Sequence, residues 1–320
     1  MSAPDHSHWS IHQLSDDHYE FLSALHVAIT GRPQRPPHVD QEIHDLLESA
    51  AAGHIQIRPV IGAYRGGRLG LAVAGVESLG SSNLILLPFE AASPGQLEGA
   101  TLALRRALRV SCNHGVTLSQ VIGPEGPSRW DVALREAGMQ RLTHLTYLTL
   151  RVSNGEMNST ERPYGTAEEW LSFSPETEPF FCEALQQSYL QSLDCPELTE
   201  MRSATQMLLA HRAAGSFDPA IWFVVMSANR PHGVLLLSRA RRDPAMEIVY
   251  MGAAQVARGS GVADALMMKA IEVARQSGVQ TLILAVDVRN EQAMRFYQRW
   301  KFQEVARRAA WIAKLCAAGG

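Results

Sequence analysis

Apolar and polar residues alternate with period two over Leu142–Val152, the pattern of a half-buried strand, whereas Phe21, Leu22, Leu25 and Ile29 follow helical spacing. The same two periods, read along the first half, predict a strand at Ser10–Leu14 and a helix from Phe21 capped by Asp16 or Asp17. A loop at Gly31–Pro37 precedes a second helix over Val39–Ala52. Arg58–Tyr64 and Leu69–Val76 read as a hairpin about Arg65-Gly66-Gly67-Arg68. A strand at Asn83–Pro88, a helix over Leu97–Asn113 stopped by Gly115, a strand at Leu118–Ile122 and a short helix over Trp130–Ala137 follow.

Residues 153–164 are polar, aperiodic and hold Gly and Pro, so they are read as a linker between a domain at 1–152 and another at 165–320. Beyond it, strands are expected at Trp170–Phe173, Ile221–Met226, Val234–Ser238 and Thr281–Val286. Helices are expected at Phe180–Leu193, Leu198–Ala214 and Glu291–Trp300, and one or two strands over Gln303–Leu315. The halves superimpose on one offset without a gap: Gly70 plus 163 is Gly233, Ala107 plus 163 is Ala270, and Gln140 plus 163 is Gln303. A constant shift over that span reads as a tandem repeat of one α/β fold.

The 320 residues are 46% hydrophobic and 19% charged, enough to bury cores in two domains. A net charge of −3 offers no broad basic field for nucleic acid or a membrane surface. The opening MSAPDHSHWS lacks a basic and apolar leader pattern, and no apolar run reaches the length of a membrane span. The four cysteines, Cys112, Cys182, Cys195 and Cys316, are scattered without metal-ligand spacing, so reduced thiols and a cytoplasmic setting are expected, with no metal. His6, His8 and His12 read as a surface cluster rather than a metal site.

The segment that carries chemistry runs from Met246 to Ala270. A β-prone stretch (Ile248, Val249, Tyr250, Met251) breaks at Gly252–Ala254, and Arg258-Gly-Ser-Gly-Val-Ala263 then opens a helix. The first N–H groups of a helix have no internal partner, and its dipole favours an anion there. Gly259 and Gly261 remove Cβ atoms that would hold a phosphate off the backbone. The repeat supplies an internal control. Arg258 corresponds to Gly95, Gly259 to Gln96, Gly261 to Glu98, Asn290 to Pro127 and Tyr297 to Leu134. The first half is therefore expected to keep the apolar skeleton without the polar fittings.

Arg258-Gly-Ser-Gly-Val-Ala263 fits the pattern Arg/Gln-x-x-Gly-x-Gly/Ala, and Asn290-Glu-Gln-Ala293-Met-Arg-Phe-Tyr297 fits Asn-x-x-Ala-x-x-x-Tyr. With both at their usual separation, the second half resembles the GNAT family of N-acetyltransferases, over roughly Gly165–Leu315. The first half resembles the degenerate repeat of tandem GNAT proteins. The resemblance implies two GNAT-like domains, each a mixed, mostly antiparallel sheet flanked by helices. It implies direct transfer of acetyl from acetyl-CoA to a primary amine in a ternary complex. By the same resemblance, backbone N–H groups of Arg258, Gly259, Ser260, Gly261, Val262 and Ala263 hold the pyrophosphate, and Met251, Gly252 and Ala253 pair with the pantetheine arm.

Asn290 is read both as the cap of the Glu291–Trp300 helix and as a cofactor contact. Tyr297 is the candidate general acid for the departing thiolate; otherwise it is a core aromatic beside Phe296. Glu247 is the candidate base, placed by strict alternation on one strand face with Val249 and Met251; otherwise it is a solvated edge carboxylate. The family's usual glycine after the tyrosine helix is replaced by Lys301, so a different turn is expected there. The acceptor is expected to be a small-molecule amine, bound near Glu183, Asp194 and Glu200, with the protein a monomer or homodimer. The alternative is a non-catalytic acyl-CoA-binding or sensing module.

Overall fold

The computed structural model describes residues 8–16, 20–31, 41–78, 81–89, 94–152, 169–199, 203–213, 216–240 and 244–315. In the first half these form β1 (Trp9–Leu14), α1 (Phe21–Thr30), α2 (Gln41–Ala51), β2 (Ile55–Arg65), β3 (Arg68–Ser78) and β4 (Ser82–Leu86). Then come α3 (Leu97–Asn113), β5 (Leu118–Pro124), α4 (Trp130–Glu136) and β6 (Gln140–Arg151). The second half continues with β7 (Glu169–Ser172), α5 (Glu178–Tyr189), α6 (Pro196–Thr199), α7 (Ala204–Ala213), β8 (Trp222–Ser227), β9 (Arg230–Arg239) and β10 (Ala245–Ala253). It ends with α8 (Val262–Gln276), β11 (Thr281–Asp287), α9 (Glu291–Arg299) and β12 (Gln303–Lys314).

The expected helix at Leu198–Ala214 is found as two, α6 and α7, and the expected last strand or pair of strands is the single strand β12. The linker at 153–164, most of the Gly31–Pro37 loop, Asp17, His6, Glu200 and Cys316 lie outside the described residues. Among those described, Cys182 and Cys195 are free thiols, and no helix is long and apolar enough to cross a membrane.

The repeat is visible in the elements. Adding 163 to the ends of β5 gives the ends of β11, and the same sum takes β6 to β12. Even the turn before each last strand is shared. Gly138 has φ 93°, and its counterpart Lys301 takes φ 63°. The different turn expected at Lys301 is therefore not formed. Instead a residue with a Cβ occupies the left-handed conformation that glycine adopts without strain.

The chain forms two compact units, Met1–Leu142 with Arg308–Gly320, and Thr143–Arg307. The first unit's strand order is β1-β2-β3-β4-β5-β12, and the second's is β6-β11-β10-β9-β8-β7. In each sheet one neighbouring pair is parallel, β4 with β5 and β10 with β11, and the other described pairs are antiparallel. The division expected near residue 152 follows chain connectivity, whereas the compact units cross it. The reason is strand pairing. Leu145–Arg151 of β6 pair with β11, and Arg308–Lys314 of β12 pair with β5. Each sheet is thus completed by a strand from the other half of the sequence.

Apolar residues close both units. In the second, Phe181, Trp222, Val224, Leu235, Leu237, Leu266 and Leu282 are among the buried residues of one core. The Trp222 indole N–H, deep in that core, donates to the Leu237 carbonyl at 2.9 Å, which leaves no polar cost at a fully buried site. In the first unit, one cluster contains Ile61, Leu104, Val121, Trp130 and Trp311, and another contains Leu25, Val60 and Ala74. Neighbouring strand residues Val60 and Ile61 fall in different clusters, as the alternation of a sheet covered on both faces requires.

Candidate active site

In the second unit, β10 and β11 begin side by side and then part. Their parallel pairing covers only Ala245, Met246 and Glu247 against Thr281, Leu282 and Ile283. Beyond that point β10 stays paired with β9, but the register slips between Ile248 and Tyr250, leaving Val249 as a bulge. A bulge bends its strand and sharpens the local twist, which turns β10 away from β11.

The gap holds a cavity of about 520 Å³. Its walls include Met251, Gly252, Ala253, Arg258, Gly259, Gly261, Val262, Ala263, Asn290 and Tyr297, most of the contacts anticipated from sequence. Gly252 has no room for a side chain, because a Cβ there would lie 2.7 Å from Ser188 Cβ. At the other wall, α8 starts from Gly261, whose φ of 97° is left-handed and which gives the helix no side-chain cap. Gly259 has φ 79° and open space where its Cβ would be. The amides that open α8 therefore face a space free of side chains, a cradle for an anion.

Three anticipated roles differ in the structure. Ser260 does not line the cavity: its N–H and its hydroxyl both donate to the Ala257 carbonyl, at 3.2 and 2.6 Å. The Arg258 N–H closes a turn onto the Gln255 carbonyl at 3.3 Å. Its guanidinium donates to the carbonyls of Ser188 and Leu190, at 2.9 and 2.7 Å, tying the glycine loop to the C-terminal end of α5. A cation there also complements the helix dipole.

The third is Glu247, which is outside the cavity lining and not on the face of Met251. Strict alternation fails at the bulge. Ile248 pairs with Leu237 and Tyr250 with Leu236, so Ile248 and Tyr250 point to opposite faces although two residues apart. Glu247 thus shares its face with Tyr250 and Gly252, toward α5. There the Tyr250 ring stacks on Tyr189 of α5 (centroids 4.9 Å apart) and tilts against His211 of α7 (5.1 Å). Burial pushes the Glu247 carboxyl above the usual carboxylate range.

Tyr297 is 8% exposed and packs edge-on to Phe296 and Phe302. Tyr297 lines the cavity. Burial, and then the nearby Asp194 charge, push its pKa well above that of a free phenol, so it stays protonated. Asn290 is the cap of α9, its Oδ1 accepting from the Ala293 N–H at 3.1 Å, and it also lines the cavity.

Sequence reasoning missed a polar network behind this wall. The fully buried Asp287 accepts from Thr143 Oγ1 (2.6 Å), the Cys195 N–H (3.2 Å), and the backbone N–H, Nε and Nη2 of Arg289 (2.9, 3.0 and 2.7 Å). Burial alone would raise its pKa, but the hydrogen bonds from Arg289 and Thr143 outweigh it and hold the carboxyl below the usual range. Arg289 also grips Glu197 in a two-pronged pair, at 2.6 and 2.9 Å. The network fixes the 194–197 segment to the end of β11. Only the run Asp287-Val-Arg289 hinted at it, and its partners lie about 90 and 140 residues away. Among the described residues no cluster of His, Cys, Asp or Glu is placed to hold a metal.

The first unit repeats the geometry without the fittings. β4 and β5 pair over Ser82, Asn83 and Leu84 and then part. Phe89, the counterpart of Gly252, stands in the gap, edge-on to Trp130 at 5.8 Å, and what remains is an apolar cavity of about 140 Å³. α3 starts at Leu97, two positions before the counterpart of Val262, so Glu98 lies in its first turn rather than in an open loop.

Residues 182–302 match the model of the acetyltransferase (GNAT) family. That match falls within the second half of the chain, over the parted strands and the glycine-opened helix. Solved structures extend the fold to the whole chain. A GCN5-related N-acetyltransferase from Sphaerobacter thermophilus aligns over 98% of this chain and 97% of its own, with a TM-score of 0.60 at 14% identity. A tandem GNAT protein from the clavulanic acid biosynthesis pathway aligns over 98% and 100%, with a TM-score of 0.57 at 12% identity. A GCN5-related N-acetyltransferase from Kribbella flavida aligns over 89% and 98%, with a TM-score of 0.51 at 14% identity. No curated protein sequence matches the chain significantly. The chain is built from two GNAT-like halves, with the family's motifs in the second.

Proposed function

We propose that the second unit is an acetyl-CoA-dependent N-acetyltransferase acting by direct transfer to a primary amine, and that the first unit is structural. The observation that carries this reading is the parted β10–β11 pair leading into the uncapped, glycine-opened start of α8. The residues fit the cofactor. Gly259, Gly261, Val262 and Ala263 suit a diphosphate, the edge of Met251–Ala253 suits the pantetheine arm, and the Asn290 amide nitrogen remains for a further contact.

Acetyl-CoA supplies the activated acetyl thioester. The chain's own groups handle the protons. An alkyl ammonium of pKa near 10 must lose a proton before its nitrogen can attack, at about 1.36 kcal/mol per pKa unit. The half-desolvated Glu247, beside the point where the strands part, is the acceptor of that proton through water. Tyr297, held protonated by burial, donates to the sulfur as the carbon–sulfur bond breaks. A small-molecule acceptor, a cytoplasmic setting and a monomer or homodimer complete the proposal.

One observation favours a non-catalytic acyl-CoA sensor instead: Glu247 does not line the cavity. Incubation with acetyl-CoA and an amine panel, read by mass spectrometry, separates the two. Acetylated product supports the enzyme; cofactor binding without product from any amine supports the sensor.

A further inference from the structure

Resting on the reading above, we propose that Arg299 supplies the charge that meets the cofactor's diphosphate, and that Asp264 is the positioning residue that holds it there. Among the described residues, the charged side chains of the cavity wall are Asp194, Arg258, Asp264 and Arg299. The end of a helix offers about half a positive charge, less than a diphosphate carries. Arg258 is anchored elsewhere, its guanidinium spanning the Ser188 and Leu190 carbonyls at the end of α5.

Arg299 stands at the end of α9, and three contacts aim it at the first turn of α8. Its Nη2 donates to Oδ1 of Asp264, which lies in that turn, at 2.5 Å. The Trp300 indole N–H donates to the same oxygen at 2.9 Å. The guanidinium carbon lies over the Phe296 ring, 5.3 Å from its centre. The bond to Asp264 takes one of the five N–H groups of the guanidinium, so a fork remains for phosphate oxygens. As a folding contact the pair is weak: the Arg299 side chain is 54% exposed, and ion pairs open to water contribute little. An uncovered carboxylate in this turn would also repel a diphosphate. Both features suit a pair that serves the ligand, in which Asp264 fixes the arginine and the arginine cancels the carboxylate.

The first half supplies a control. At the offset of 163, Asp264 corresponds to Thr101 and Arg299 to Glu136, while Trp300 and Phe296 correspond to Ala137 and Ala133. The two positions still touch: Thr101 Oγ1 donates to Glu136 Oε2 at 3.3 Å. The packing of the two helices therefore brings these positions together in both units, and only the chemistry of the contact differs. Where the helix opens on glycines, the contact carries an arginine. Where it does not, the contact carries a carboxylate that would repel a phosphate.

The test is calorimetric titration of the full-length protein with CoA and with 3′-dephospho-CoA, which keeps the diphosphate and lacks the ribose phosphate. Arg299→Gln should weaken both ligands alike, by about tenfold or more, and flatten the dependence of affinity on salt. Arg299→Lys should recover part of that loss, because it keeps the charge without the fork. In an Asp264→Asn background, Arg299→Gln should still cost affinity, but less than in the wild type, because the arginine is then untethered. An unchanged Arg299→Gln variant overturns the proposal. A loss confined to CoA assigns Arg299 to the ribose phosphate and overturns it too. No cost in the Asp264→Asn background reduces Arg299 to a neutraliser of Asp264, and an undiminished cost there removes the positioning role; either result contradicts the proposal. All of these outcomes leave the cofactor reading standing, whereas failure of the wild-type protein to bind either ligand removes that reading as well.

Discussion

Lys301 shows how a family glycine can be lost while its turn is kept. With φ 63° it holds the conformation of Gly138 in the first half, at an expected strain of about 1–2 kcal/mol. Lys301→Gly relieves that strain but frees the unfolded chain, so a net stabilisation of about 0.5 kcal/mol is expected from denaturant unfolding. Gly138→Ala should destabilise instead. At the chemical residues, Tyr297→Phe is expected to lower kcat about 100-fold with acetyl-CoA affinity unchanged. Because burial raises the Glu247 pKa and the base must be ionised, kcat/KM should climb with pH through a limb lying above the ordinary glutamate value of about 4.3. Glu247→Gln should remove that limb from the pH profile. Gly259, Gly261, Asn290 and Tyr297 could be singled out because each belongs to a local motif, and they line one cavity. The network of Asp287 and Arg289 was not, because its partners come from strands and loops far along the chain.

Among the elements, the facing of the second part of β10 is set by a bulge that alternation could not reveal. Period two placed Glu247 with Met251, whereas the extra residue at Val249 reverses every side chain beyond it. The strands and helices themselves were readable. Leu97–Asn113 was predicted with the ends that α3 has, and the hairpin about Gly66 and Gly67 has both glycines at positive φ, as its tight turn requires. The Asp287 network pins the 194–197 segment to β11, so Asp287→Ala should cost about 1–3 kcal/mol by removing the acceptor of Thr143 Oγ1, the Cys195 N–H and Arg289, which keeps only Glu197. Its folded pKa is depressed, so the stability it contributes is present above the unfolded carboxylate value of about 3.9 and is lost as pH falls through the folded value. Acid unfolding of Asp287→Asn should accordingly start from lower stability and depend less on pH.

For the whole molecule, the repeat was legible as an offset of 163, but the partition into units was not. Sequence periodicity cannot say that Leu145–Arg151 pair with β11 rather than with their own half. A fragment of residues 165–320 lacks that strand and exposes the edge of β11, so it should aggregate or melt well below the full chain. The claim on which the rest depends is that acyl-CoA binds once, in the second unit. Calorimetric titration of the full-length protein with acetyl-CoA, beside a folded Gly261→Val variant, tests it most directly. One site per chain, lost in the variant because a side chain enters the cradle and strains a backbone at φ 97°, is the predicted result. Two sites, no site, or one site unaffected by Gly261→Val would contradict it.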